Sequence, residues 1–262
     1  MDFKKIIFEK NGKVATITFN NAESYNCYGR ELATDLYKVM KIIKWDKEIR
    51  VVLIKSEGNA YSAGGDVKQF KEGVDSGGFT NMVEDLILYL NSTVLMMKKM
   101  DKIFISFING ICAGVGLSLG LNTDISIATD KAVFIGAYNG LATTPDGGSS
   151  YVILKNAGLP RTMWFFLSNE KISADEAYNW GVLSKVVKEK DAEAYVKELV
   201  KKIANGPHEA NILTKRLFIE GESMNIEKYI ECEKEGIIKC SKSSDMIEAI
   251  NAFNEKRQPK FK

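Results

Sequence analysis

Two stretches decide the fold: Tyr61-Ser-Ala-Gly-Gly-Asp66 and Asn109-Gly-Ile-Cys-Ala-Gly-Val-Gly116. Each follows an apolar run of the kind that makes a buried strand, Val51-Val52-Leu53-Ile54 before the first and Ile103-Phe-Ile-Ser-Phe-Ile108 before the second. The second also leads into a Gly-rich helix start near residue 114. Backbone N–H groups at the start of a helix have no partner inside it and carry partial positive charge. Glycine lets a ligand approach that backbone closely. Two such loops on adjacent parallel strands can therefore aim two N–H groups at one oxygen, the geometry of an oxyanion hole. Either loop alone reads as readily as a tight turn or a site of close helix packing.

Around these loops the pattern is mixed α/β. Residues 3–9 and 13–19 read as strands of a hairpin separated by Asn11-Gly12. Leu32, Leu36, Val39, Met40 and Ile43 fall three or four apart, which predicts an amphipathic helix over about 29–45. Residues 56–78 form a polar, Gly-rich segment, and Val83, Leu86, Ile87, Leu90, Val94 and Met97 mark a second long helix. Short strands are expected near 124–128 and 133–135, and Pro160 suits the first turn of a helix over 160–168. Ser173-Ala-Asp-Glu176 reads as a capping box. After about residue 190 only helices are expected, near 190–204, 207–221, 225–240 and 243–255. The division is thus a core over 1–190 and a helical region over 191–262, either a small second domain or an interaction arm.

The chain has 262 residues, 45% hydrophobic and 27% charged, with a net charge of +2. That size buries a full core, and the charge balance makes no case for nucleic acid or an anionic membrane as a partner. A single His, His208, disfavours a Ser-His-Asp triad, a two-His zinc site or a His base, and no metal is expected. Cys27, Cys112, Cys232 and Cys240 form no C-x-x-C pair and read as buried free thiols of a reducing cytoplasm. The start, Met1-Asp-Phe-Lys-Lys-Ile6, is too charged for a secretory signal. The uncharged stretch 103–123 has the length of a membrane span, but its glycines and polar residues favour strand, turn and buried helix. Gly114-x-Gly-x-x-x-Gly120 and Tyr151-x-x-x-Lys155, beside Ser149 and Ser150, superficially resemble a short-chain dehydrogenase. In that family, however, the glycine loop lies in the first strand–helix unit and far from the Tyr.

With both loops in place, the chain resembles the enoyl-CoA hydratase/isomerase (crotonase) superfamily nearly end to end. Asn26 and the helix after it resemble the family's N-terminal Asn-Ala segment. Tyr61–Asp66 resembles F-x-A-G-x-D, and Asn109–Gly116 running on to Asp124 resembles N-G-x-x-x-G-G-G followed by its Asp. Pro145-Asp-Gly-Gly148 matches the P-x-x-G-G turn. Ile172-Ser-Ala-Asp-Glu-Ala177 with Trp180-Gly-Val182, and Ala252-Phe-Asn-Glu-Lys-Arg257, complete the order. The resemblance implies a crotonase-like spiral of β-β-α units and a helical C-terminal region that builds a homotrimer or a hexamer of two trimers. It also implies an acyl-CoA thioester as substrate, with no separate cofactor. Gly65 and Val115 then occupy the oxyanion positions. Val115 stands where the family has glycine, tolerable because the backbone donates, although a branched side chain narrows the pocket. Ala63, Asp66, Val67, Lys68 and Gly114 line the acyl-CoA path, and Phe253 and Lys256 match last-helix positions that reach CoA, in some members from a neighbouring subunit.

Hydratases of this family split water with two Glu. Counting without gaps, those positions here are Ser118 and Tyr138, so both carboxylates are missing. A different one is available in Asp146, at a turn position where the resemblance points to enoyl-CoA isomerases and to a dehalogenase branch. The expectation is a Δ3-to-Δ2-type enoyl-CoA isomerase with Asp146 as base and then acid, and with Tyr138 orienting substrate or donating a hydrogen bond. Alternatives are a hydratase or hydrolase acting on an unusual acyl-CoA, or a non-catalytic acyl-CoA-binding protein. A purely structural role for Asp146 would be to cap the helix that follows it.

Overall fold

The computed structural model describes residues 3–262; Met1 and Asp2, part of the charged start, lie outside it. β1 (Ile6–Asn11) and β2 (Val14–Phe19) pair antiparallel with Asn11 opposite Val14. The loop is therefore Gly12-Lys13, and Gly12 has the positive φ of 57° that two-residue hairpin turns require. Asn11, expected in the turn, stays in the ladder. α1 (Arg30–Trp45) then buries the stripe Leu32, Leu36, Val39, Met40 and Ile43.

β3 (Val51–Ser56), β5 (Ile103–Ile108), β7 (Ile125–Thr129) and β10 (Lys185–Val187) lie parallel beside β2, giving a six-stranded sheet in the order β1-β2-β3-β5-β7-β10. After β3, β5 and β7 the chain adds a short strand to a second sheet: β4 (Ala60–Ser62), β6 (Ile111–Ala113) and β8 (Val133–Ile135), with β9 (Ile172–Ser173) at its edge. Helices carry the chain back: α2 (Val67–Asp75) and α3 (Phe79–Lys99), then α4 (Val115–Leu121), then α5 (Ser149–Ala157), α6 (Leu159–Ser168) and α7 (Ala174–Asn179). One strand in each sheet followed by helices is the repeated β-β-α step of a spiral. The stretch 103–123 is β5, β6 and α4, and no described helix is long and apolar enough to cross a membrane.

β5 is buried at all six positions, which explains its unbroken apolar run. Each fully buried Ile or Phe there contributes roughly 1.5–3 kcal/mol. One face of the large sheet looks into the main core with α1 and α3. The other packs Val51, Ile103, Ile105 and Ile127 against Ala192, Val196 and Val200 of α8 (Glu189–Ala204). α8, grouped by sequence with the C-terminal region, is thus a layer over the sheet.

α9 (His208–Gly221), α10 (Ile226–Ser241) and α11 (Ser244–Asn254) follow. α9 is tied to the core by Lys215, whose ammonium donates to Met97 O at 2.7 Å and Lys102 O at 2.8 Å and lies 2.9 Å from Asp124 Oδ2. α10 buries no residue, and α11 buries only Ala252. All four cysteines are unpaired, but only Cys112 is buried; Cys27, in a loop, and Cys232 and Cys240, on the surface helix α10, are half-buried.

Candidate active site

The two glycine loops meet because the strands before them pair. β4 and β6 are parallel neighbours, with Ala60 opposite Ile111 and Ser62 opposite Cys112. At the ends of these strands the backbones touch. A Cβ on Gly64 (φ +100°) would sit 3.2 Å from Ala113 O, and one on Gly114 (φ +50°) would sit 3.4 Å from Gly64 Cα. A Cβ on Gly116 would fall 2.5 Å from Ser62 O, so α4 can start hard against β4 only with glycine there.

Tyr28 fixes how Gly65 faces. Its N–H donates to Gly64 O at 2.7 Å, and its carbonyl accepts from Asp66 N at 3.2 Å. In such a parallel bridge the residue between those two partners turns its own N–H the other way. Accordingly Gly65 N–H has no protein acceptor among the described residues, and neither has Val115 N–H, at the first position of α4. Val115's side chain is buried and packs into the main core. The two sequence-predicted donors are thus unpaired amides on two loops in van der Waals contact.

The Pro145–Gly148 turn is fastened over α4. Ser118, one turn along from Val115, donates to Asp146 O at 2.9 Å, and Asn122 donates to Gly147 O at 3.1 Å. Gly147 (φ +52°) is pressed so closely that a Cβ would lie 2.7 Å from Ser118 Cβ. Asp146 itself is half-buried, and its Oδ1 accepts from Tyr138 OH at 2.8 Å. It does not cap α5: Gly148 occupies the cap position and no side chain bonds the first turn. Burial pushes the Asp146 carboxyl above the usual range, outweighing the Tyr138 hydrogen bond that favours its charged form. Burial, with the Asp146 charge added, also pushes the Tyr138 and Tyr28 phenols up. Both phenols stay protonated donors, and Asp146 is the group among the three that titrates.

The remaining expected site residues separate into two sets. Ala63 lies in the first loop, its N–H bound to Tyr25 O at 3.0 Å. Asp66 is committed to capping α2, accepting from Lys68 N, Gln69 N and Gln69 Nε2 at 3.0–3.2 Å. Val67 and Lys68 are exposed on the first turn of α2, beside the loops. Phe253 and Lys256 are not brought to this site within one chain. Phe253 is 84% exposed, and of the other helices only α10 packs appreciably on α11. Ser118 and Asn122 are positioning residues that sequence reasoning missed, Ser118 having the look of a small spacer. Tyr28 and Phe70 were missed as well: the Phe70 ring lies against Gly65, where a Cβ would be 2.6 Å from it. The motif positions around them carry no marker for such contacts.

Known proteins resemble this chain along nearly its whole length. It is 26% identical over 261 residues to a trans-2-decenoyl-[acyl-carrier-protein] isomerase of Streptococcus mutans, covering 100% of this chain and 99% of that protein. It is 28% identical to a 1,2-epoxyphenylacetyl-CoA isomerase of Escherichia coli, covering 95% and 94%, and 28% identical to a 4-chlorobenzoyl coenzyme A dehalogenase of Arthrobacter, covering 96% and 91%. A solved enoyl-CoA hydratase of Bacillus anthracis superposes with a TM-score of 0.90 at 26% identity over 99% of both chains. The family model described as enoyl-CoA hydratase/isomerase matches residues 9–262. With the β-β-α spiral and the paired glycine loops beneath it, that match makes the chain a member of the enoyl-CoA hydratase/isomerase family and an enzyme of its isomerase/hydratase type.

Proposed function

We propose that this enzyme moves a double bond in an enoyl-CoA thioester from the Δ3 to the Δ2 position. The observation that carries the reading is the environment of Asp146: one half-buried carboxylate, gripped by Tyr138 and suspended over the first turn of α4. At the two hydratase positions stand Ser118, whose hydroxyl is spent on Asp146 O, and Tyr138, whose hydroxyl is spent on Asp146 Oδ1. Neither can activate water as a carboxylate does.

The chemistry needs one base. Asp146 removes a proton from C2 of the 3-enoyl thioester, and the electron pair moves through the carbonyl to leave a dienolate. Its oxygen accepts from Gly65 and Val115 N–H, each such donor being worth about 3–4 kcal/mol when aimed at developing charge. The protonated Asp146 returns the proton to C4, the double bond settles between C2 and C3, and no water is consumed. A raised Asp146 pKa makes the carboxylate a stronger base toward C2, and its conjugate acid, though weaker, still donates to the much more basic dienolate carbon. The CoA portion leaves along Val67 and Lys68, and in a trimer or hexamer Phe253 and Lys256 of a neighbouring subunit close over it. Similarity to the decenoyl-[acyl-carrier-protein] isomerase and to the epoxyphenylacetyl-CoA isomerase supports this reading.

A second reading is favoured by the similarity to 4-chlorobenzoyl coenzyme A dehalogenases: Asp146 as nucleophile in a hydrolysis. That route needs a second base to activate water, and neither a second carboxylate nor an imidazole is among the groups that perturb Asp146. Assays with 3-enoyl-CoA and 2-enoyl-CoA divide the two. Isomerisation predicts 2-enoyl-CoA from the first substrate without hydration. Consumption of the 2-enoyl substrate alone, with water incorporated, would overturn it.

A further inference from the structure

We propose that a cleft at the opposite end of the large sheet, between the last turns of α1 and α3 and the start of α9, is a second binding site, for a compact polyvalent phosphate anion. The cleft encloses about 540 Å³. Its polar wall consists of Lys44, Lys47, Lys99, Lys102, Asp101 and His208. Four lysines against one aspartate leave that wall at +3 with His208 neutral, more than the +2 of the whole chain.

The charge is also poorly neutralised. Arg216 takes the Asp101 carboxylate, with Nε 3.0 Å from Oδ1. No carboxylate lies within 4.0 Å of the ammonium of Lys44, Lys47 or Lys99 among the described residues, as for most lysines of the chain. Lys102 donates to two carbonyls, Asp46 O at 2.6 Å and Ile49 O at 2.8 Å, which fix its ammonium; burial pushes its pKa down against the attraction of Asp46 and Asp101. Complementing the negative C-terminal ends of α1 and α3 accounts for Lys44 and Lys99. It does not account for Lys47, which lies beyond α1. Nor does it account for His208, the first residue of α9, where the helix end is itself positive and no side chain caps the amides. Burial, together with Arg50 and Lys102, holds the His208 imidazole below its ordinary range despite Asp101, as expected where the local potential is positive. Arg50 Nη1 is buried without a hydrogen-bond partner among the described residues.

The apolar lining of the cleft is made by Ile49, Leu95, Met96 and Met100. Low-dielectric walls strengthen the attraction of the lysines for an anion above what open water allows. Lys44, Lys47 and Lys99 are point charges on flexible stems, a set that suits phosphate rather than a planar carboxylate. A polyvalent anion is needed because a single exposed ion pair contributes only about 0–1 kcal/mol. The site is separate from the thioester loops. Arg50 and Lys102 directly precede β3 and β5, whereas the loops follow the far ends of those strands, and six residues of strand span roughly 20 Å.

Titration calorimetry of the full chain with inorganic pyrophosphate, at constant ionic strength, tests the proposal. One pyrophosphate per chain is expected. Lys47→Glu/Lys99→Glu should weaken it by at least about tenfold, a loss of roughly 1.4 kcal/mol, while Lys190→Glu/Lys197→Glu on α8 leaves it unchanged. Turnover of enoyl-CoA should be unaffected in both. Circular-dichroism melting checks folding, and Lys47→Gln/Lys99→Gln replaces the reversal if that variant is unfolded. Absence of saturable binding, or equal weakening by the α8 pair, would overturn the proposal, the latter by showing diffuse charge only.

Discussion

Asp146 is held in two ways that have separable consequences: Ser118 and Ser149 bind its main-chain carbonyl, and Tyr138 binds its carboxylate. The Tyr138 hydrogen bond favours the charged form, so Tyr138→Phe should raise the Asp146 pKa beyond the elevation that burial already causes. The base acts deprotonated. The acid limb of kcat/KM, above the ordinary carboxylate range in the native enzyme, should therefore move to still higher pH in Tyr138→Phe, with lower activity on its acid side. A pH–rate profile checks this, and an unmoved limb would reduce Tyr138 to a packing ring. The unpaired amides of Gly65 and Val115 and the half-buried carboxylate of Asp146 were legible in the sequence as features of recognisable loops, whereas their catalytic roles are proposals. Asp66 was assigned to the acyl-CoA path, yet it spends its carboxylate capping α2; an Asp just before a helical stretch carries that meaning too. Lys215 had no marker at all, since a lysine that becomes buried looks like any other in a helix.

The spiral is assembled from unequal elements, and their legibility follows their length. α1, α3, β3 and β5 were readable from apolar spacing, and the Ser173–Glu176 capping box is formed as its residues suggested. β4 and β6 have three residues each, too few for alternation to register, and both lie in glycine-rich sequence. α2 was hidden in the same polar segment because it buries only Gly73. α9 is held by Ile212 in the core under the large sheet, by the Arg216–Asp101 ion pair and by the buried pair of Lys215 with Asp124. Burial pushes the Asp124 carboxyl up against the attraction of Lys215, so much of the pair's Coulomb gain offsets desolvation. Lys215→Met should nevertheless destabilise the protein by about 3–5 kcal/mol in urea unfolding, because it leaves Asp124 buried with only the Phe104 amide and the Lys98 charge to offset it and removes the donor to Met97 O and Lys102 O. Adding Asp124→Asn should recover part of that loss. Additive losses would mean that the two side chains act independently.

Taken whole, the molecule leaves large apolar side chains exposed on several helices, α5, α6, α10 and α11 among them. Ile226, Ile230, Ile237, Ile247, Ile250 and Phe253 are all exposed on α10 and α11, far more apolar surface than two surface helices need. In the function proposed above, Phe253 and Lys256 act at the thioester site of another copy. Sedimentation equilibrium should therefore give three or six times 29.2 kDa, and Phe253→Ala should raise KM for enoyl-CoA; a monomer with full activity would contradict this. The spiral core itself was foreseeable from six motifs in order, whereas the pose of the C-terminal helices was not, because their apolar stripes do not say what they face. The most direct test of proton shuttling follows the hydrogen itself. With 3-enoyl-CoA deuterated at C2, the native enzyme should deliver part of the label to C4 of the 2-enoyl product. Asp146→Asn should lose about 10²–10⁴-fold in kcat while still binding the thioester. Retained turnover in Asp146→Asn, or a product with no label at C4 and a hydroxyl at C3, would contradict a single aspartate acting beneath two main-chain amides.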